Sequence, residues 1–92
     1  GVYLANVGRD ATAPSKEEVA TILSVFPVTT IVTDPKVWRG DRSGNLVVAG
    51  WVGTPPDFDE LDRSLRRLPL PARLYRTDEV SRWLGGTQPL DH

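Results

Sequence analysis

A chain of 92 residues, 39% apolar and 25% charged, with 11 basic against 12 acidic side chains and a formal net charge of −1, has the composition of one small soluble domain with room for a single hydrophobic core. The near balance of charge argues against nucleic-acid binding, which draws on many Lys and Arg contacts to phosphate, and implies no basic face. There is no cysteine, and the one histidine, His92, is the last residue, which argues against disulfides, Cys-ligated metals, a Ser-His-Asp triad and multi-histidine metal sites.

The chain opens on Val2 to Val7, a mostly apolar run closed by Gly8-Arg9-Asp10, which predicts a strand covered on both faces. A start without Met, directly on such a run, fits an excerpt of a longer protein. The longest apolar runs, Val2 to Ala5 and Leu46 to Ala49, fall far short of the roughly 20 residues that cross a bilayer. No leader pattern is present either, and a cytoplasmic location without membrane contact by this segment is expected.

Ser15 with Glu18 three residues on forms a capping-box spacing, and Val19, Ile22, Leu23 and Phe26 then repeat on one helical face up to Pro27. Val28 to Thr33 is β-branched at every position and predicts a second strand, ended by Asp34-Pro35. Residues 40 to 45 read as a loop and Leu46 to Val52 as a third strand. The connection is too short for a crossover helix, so strands two and three are expected to be antiparallel neighbours, whereas strands one and two, separated by a helix, can be parallel.

Asp57 and Glu60 repeat the capping spacing ahead of Phe58, Leu61, Leu65 and Leu68, a second amphipathic helix whose outer face mixes both charge signs and reads as solvated surface. Ala72 to Tyr75 is a short extended piece. Thr77 or Asp78 can cap a last helix bearing Val80, Trp83 and Leu84, stopped by Gly85-Gly86. The carboxylate pairs Glu17-Glu18 and Asp57/Asp59 sit in first helical turns, where the helix dipole favours negative charge without any catalytic role. Of the three tryptophans, Trp51 and Trp83 are expected inside and Trp38 near the loop surface.

Three segments carry a family resemblance: Gly1-Val2-Tyr3-Leu4-Ala5-Asn6, the helix closed by Val25-Phe26-Pro27-Val28, and Ser43-Gly44-Asn45 ahead of the third strand. They resemble the "G-x-x-x-x-Q/N", "x-F-P-x-V" and "x-G-N/Q" segments in the C-terminal half of spermidine synthase-like proteins. Gly85-Gly86-Thr87-Gln88-Pro89-Leu90 is similar to a further segment, "G-x-x-P-L-T-D", although Asp91 follows Leu90 with no Thr between. The resemblance spans residues 1 to 90 and implies an α/β fold, the C-terminal portion of a Rossmann-like methyltransferase sheet in the order strand-helix-strand-strand-helix-helix. In that sheet the last strand inserts antiparallel between its two predecessors.

The resemblance also implies an S-adenosyl cofactor (decarboxylated S-adenosylmethionine or S-adenosylmethionine) and aminopropyl or related transfer to an amine for the parent protein. The glycine-rich loop and the acidic residues of such a site would lie upstream. No catalytic residue or cofactor-binding residue is therefore expected here, and the partner implied is the upstream half of the same protein, or a second copy through an exposed strand edge. Two substrate-binding candidates follow: Asn6, expected at the carboxyl end of the first strand, and Asp41, where the family carries an aromatic residue. Arg39 and Arg42 would offset much of the field of Asp41 on a cationic amine. A stand-alone interaction module without enzymatic activity is the alternative, and it predicts an edge blunted by charge, proline or a covering loop.

Overall fold

The computed structural model describes residues 1–9 and 15–90; Asp10, Asp91 and His92, which enter the sequence reading, lie outside the described residues. The elements are β1 (Val2–Arg9), α1 (Ser15–Val25), β2 (Val28–Thr33), α2 (Pro35–Trp38), β3 (Gly44–Trp51), α3 (Phe58–Arg66), β4 (Arg73–Tyr75) and α4 (Thr77–Leu84). The strands form one sheet in the order β1-β3-β2-β4, with every neighbouring pair antiparallel.

β1 and β2 are thus not neighbours: β3 lies between them and they run in the same direction on its two sides. Two expectations on strand extent are also corrected. β1 continues two residues beyond Val7, because Gly8 and Arg9 still pair with Asn45 and Gly44, and β3 accordingly begins at Gly44. The extended piece before the last helix is a sheet strand, β4, in register with Ile31 to Thr33 of β2. α2 was not legible as a helix; it is a single turn built by Asp34, whose carboxylate accepts from the Lys36 amide at 2.9 Å, and by Pro35 at its first position.

Residues opposite each other across an antiparallel ladder share a face, so the register sorts the side chains into two sets. Val7, Leu46, Val48 and Ile31 fall on one face, where they are buried with Val19 and Ala20 of α1, Val37 of α2, and Val80 and Leu84 of α4. This is the core. On the other face α3 sits over the β3-β2-β4 side: Phe58 meets Trp51 edge-on at 5.7 Å, and Trp51 Nε1 donates to Thr30 Oγ1 at 3.0 Å. The β1 side of that face is uncovered, with Leu4 63%, Val2 45% and Val47 44% exposed. The expectation that the first strand is covered on both faces is therefore corrected: only Val7 of β1 is buried.

The helix ends follow their caps. Asp57 accepts from the amides of Asp59 and Glu60 at 3.0 and 3.2 Å, which starts α3 where the sequence places it. α3 ends at Arg66, so Leu68 lies beyond it and is 53% exposed rather than part of its apolar face. Arg76, not Thr77 or Asp78, is the N-cap of α4, its amide donating to Glu79 Oε1 at 3.3 Å, while Thr77 bonds sideways to the sheet, its hydroxyl accepting from the Thr29 amide at 3.1 Å and donating to the Thr29 carbonyl at 3.0 Å. Gly85 ends α4 with φ at 60°, a value disfavoured for residues with a Cβ. The segment after it returns to α1, where the Leu90 amide donates to Thr21 Oγ1 at 2.8 Å.

Asp62 ties α3 to β4. Its carboxylate accepts from the Leu74 amide at 3.0 Å, Arg66 at 3.0 Å and Arg73 at 3.4 Å. Burial alone would raise its pKa, but the Leu74 amide, the Arg66 bond and the fields of Arg73 and Arg66 together hold it below the ordinary 3.8. A carboxyl with a lowered folded-state pKa contributes stability above its unfolded value and loses it as the pH falls through the folded one. Asp62→Asn keeps an acceptor for Leu74 and removes the charge, and is expected to cost about 1 kcal/mol at neutral pH. Thermal melts of both proteins should show that gap closing as the pH drops below 3.8; a gap unchanged at low pH would remove the charge from the account.

Candidate functional site

Because β1 and β2 both run against β3, their carboxyl ends, Arg9 and Thr33, lie at the end of the sheet where β3 begins. Open α/β sheets bind their ligands at such strand ends. α2 and the turn after it sit there. Arg9, which shares a face with Val7, donates from Nε to the Val37 carbonyl at 2.8 Å and carries its guanidinium 5.0 Å from the centre of the Trp83 ring. Lys16, in the first turn of α1, places its ammonium 5.1 Å from the same ring.

Trp38 stacks on both Tyr75 and Trp83, with ring centres 4.0 and 4.8 Å away and planes within 12° and 25°. This brings one aromatic residue from each of α2, β4 and α4 together. Burial raises the Tyr75 phenol above its ordinary 10.0; Arg73 and Arg39 oppose the rise while Glu79 and Asp34 add to it, so the group is neutral at physiological pH. An open cavity of about 380 Å³ is lined by Trp38, Glu79, Arg82 and Trp83. The expected sorting of the tryptophans is corrected: all three are half-buried, Trp38 and Trp83 in this stack and Trp51 against Phe58.

Asn6 and Asp41 take different places. Asn6 is not at the carboxyl end of β1, because the strand runs on to Arg9; it is paired with Val47 in mid-strand and exposed on the uncovered face. Asp41 lies in the turn between α2 and β3, its carboxylate 3.2 Å from Arg39 Nε with both side chains more than half exposed. Such a pair is worth at most about 1 kcal/mol and leaves little net field. The neighbouring Asp34 is the better-buried carboxylate, 13% exposed, and lies 3.6 Å from Arg42.

The sequence reading did not single out Arg9, Lys16 or Tyr75. Arg9 was legible in principle, since a strand continued by two residues places it on the face of Ala5 and Val7. Lys16 and Tyr75 reach the stack only through the way α1 and β4 dock.

Among the described residues no glycine stands in the strand-to-helix G-x-G-x-x-G setting of a cofactor loop. Gly40, Gly53 and Gly85 have positive φ, but Gly40 and Gly85 follow helices, and Gly53, between β3 and α3, has no second glycine beside it to let a backbone close on a ligand. Among the described residues no group of three or more His, Asp or Glu side chains is placed to hold a metal ion, and no helix is long and apolar enough to cross a membrane.

No family model and no curated protein matches the chain. Among solved structures, a probable spermidine synthase from Corynebacterium glutamicum matches over 100% of this chain with a TM-score of 0.80 at 24% sequence identity. The chain has the fold of that protein's C-terminal portion. It spans 35% of that protein's length. The spermidine synthase likeness takes in all the elements described, including the short β4 and the α4 helix that close the aromatic stack.

Proposed function

We propose that the chain is the C-terminal part of a spermidine synthase-like, S-adenosyl-cofactor-dependent transferase with a Rossmann-like sheet, and that it completes that sheet and the substrate side without being catalytic by itself. The observation that carries this reading is the outer edge of β1. It is eight residues long, contains no proline, has a charge only at Arg9, and pairs with no described strand on its far side. An autonomous module would be expected to blunt such an edge. The exposed apolar side chains of Val2, Leu4 and Val47 beside it supply a face for the same missing neighbour.

In this reading the upstream half brings the cofactor loop and the acidic residues that hold and deprotonate the amine. Asn6, on the uncovered face beside Leu4, and Asp41, beyond the strand ends, are the substrate-side residues of this chain. Trp38, stacked on Tyr75 and Trp83, anchors the end of α2 just ahead of the turn bearing Asp41.

Light scattering on the chain alone and mixed with the upstream segment of its parent gene tests the proposal. Self-association that converts to a one-to-one complex able to bind S-adenosylmethionine is the expected result. A stable monomer indifferent to that segment would overturn it and favour an autonomous interaction module.

A further inference from the structure

The total charge of −1 conceals a strong local imbalance. Residues 61 to 76 carry Arg63, Arg66, Arg67, Arg73 and Arg76 against the single carboxylate of Asp62, so five of the 11 basic residues fall in one α3–β4 passage. The sequence totals implied no basic face, yet this passage is locally basic. Asp62 is shared by Arg66 and Arg73, and Arg76 meets Asp59, while Arg63 and Arg67 make no ion pair with a described carboxylate. Cations near a helix C-terminus complement its dipole, which accounts for some of the arginines of α3. It does not account for the apolar residues set among them.

Leu70 is 75% exposed and Leu68 53% exposed, in the segment Leu68-Pro69-Leu70-Pro71 that joins α3 to β4. Beside them lies a groove of about 350 Å³ lined by Pro35, Leu65, Leu68, Leu70, Pro71 and Ala72, with Arg66 and Arg73 also in its wall. We propose that this groove docks an acidic segment of a partner protein, a bulky apolar side chain filling the hollow and carboxylates meeting Arg63, Arg66 and Arg67.

The mode of docking follows from the backbone. Pro69 and Pro71 have no amide hydrogen to donate, and the Leu74 amide of β4 is already taken by Asp62, so an added strand finds few donors on this edge. Recognition is by side chains. The groove is a hollow, which a flat lipid surface does not fill, and its mainly apolar lining suits a bulky side chain better than a nucleic-acid backbone. The proposal does not rest on the transferase reading: β4 is the opposite sheet edge from β1, whose edge carries that reading.

Fluorescence anisotropy of a dye-labelled peptide in which Glu alternates with Leu and Phe, titrated with the full chain, is the test. Binding should weaken with added salt and fall at least about tenfold in Leu70→Ser and in Arg67→Glu, a loss of about 1.4 kcal/mol each. Both side chains are exposed, so circular dichroism of the variants should match the parent. No binding, equal binding of the same peptide with Lys in place of Glu, or binding indifferent to both substitutions would overturn the proposal. So would tighter binding to anionic phosphatidylserine vesicles than to the peptide.

Discussion

Leu46→Ala is expected to cost about 2–5 kcal/mol, the range for emptying a fully buried leucine site that relaxes only in part. Leu46 has no exposed surface and sits in β3, in register with Val7 of β1 and on the core face with Val48 and Ile31. A chain of this size is expected to hold about 5–14 kcal/mol in total, so a single truncation in the strand joining β1 to β2 removes a large share. At roughly 4–8 °C per kcal/mol the melting temperature should fall by about 10 °C or more. The control is the next residue. Val47→Ala, on the uncovered face and 44% exposed, should change stability by less than about 0.5 kcal/mol in the chain alone. Equal losses at the two positions, read from urea or thermal unfolding, would contradict the assignment of faces. Bound to an upstream half that covers this face, Val47→Ala should cost more than it does in the chain alone.

What the sequence makes legible is whatever local patterning decides. Val28 to Thr33 is β-branched throughout and forms β2 with those bounds; Val19 with Ile22, Leu23 and Phe26 marks the inner side of α1; Asp57 caps α3 by the bonds its spacing implies. Tertiary pairing is less visible. Nothing in Arg73-Leu74-Tyr75 identifies a strand, because three residues acquire strand geometry only by lying against Ile31 to Thr33. Gly8 and Arg9 read as a turn, yet Asn45 and Gly44 hold them in the ladder.

The site was less legible than the fold for the same reason. Asn6 and Asp41 follow from a family resemblance read along the chain, one at an expected strand end and one ahead of another strand, and the fold sets Asn6 in mid-strand and Asp41 in an exposed ion pair. The residues gathered at the strand ends, Arg9, Lys16, Trp38, Tyr75 and Trp83, come from five different elements. No spacing rule links them. The basic passage beside α3 was hidden differently, by a total charge in which local excesses cancel.

Gly50→Ala is the substitution whose sign decides how β1 is held. A Cβ added to a strand glycine normally restricts the unfolded chain and, where it fits, stabilises by about 0.4–1 kcal/mol. Here it would stand 2.5 Å from Cγ and Cδ2 of Phe26 and 2.9 Å from its Cβ, so the ring must shift, and that ring is stacked on Tyr3 of β1 at 5.4 Å. Phe26 has little freedom to yield, since its carbonyl also accepts from Thr29 Oγ1 at 2.6 Å. The expected outcome is a loss of about 1–3 kcal/mol from overpacking. In a Phe26→Ala background the two contacts with the ring are gone and only the one with Cβ at 2.9 Å remains, so the same glycine substitution should cost clearly less. The double-mutant cycle should therefore show a coupling of at least about 1 kcal/mol. Additive losses would mean that Gly50 is required for its backbone rather than for the ring, and the Tyr3–Phe26 stack would cease to be what seats β1 over the end of α1.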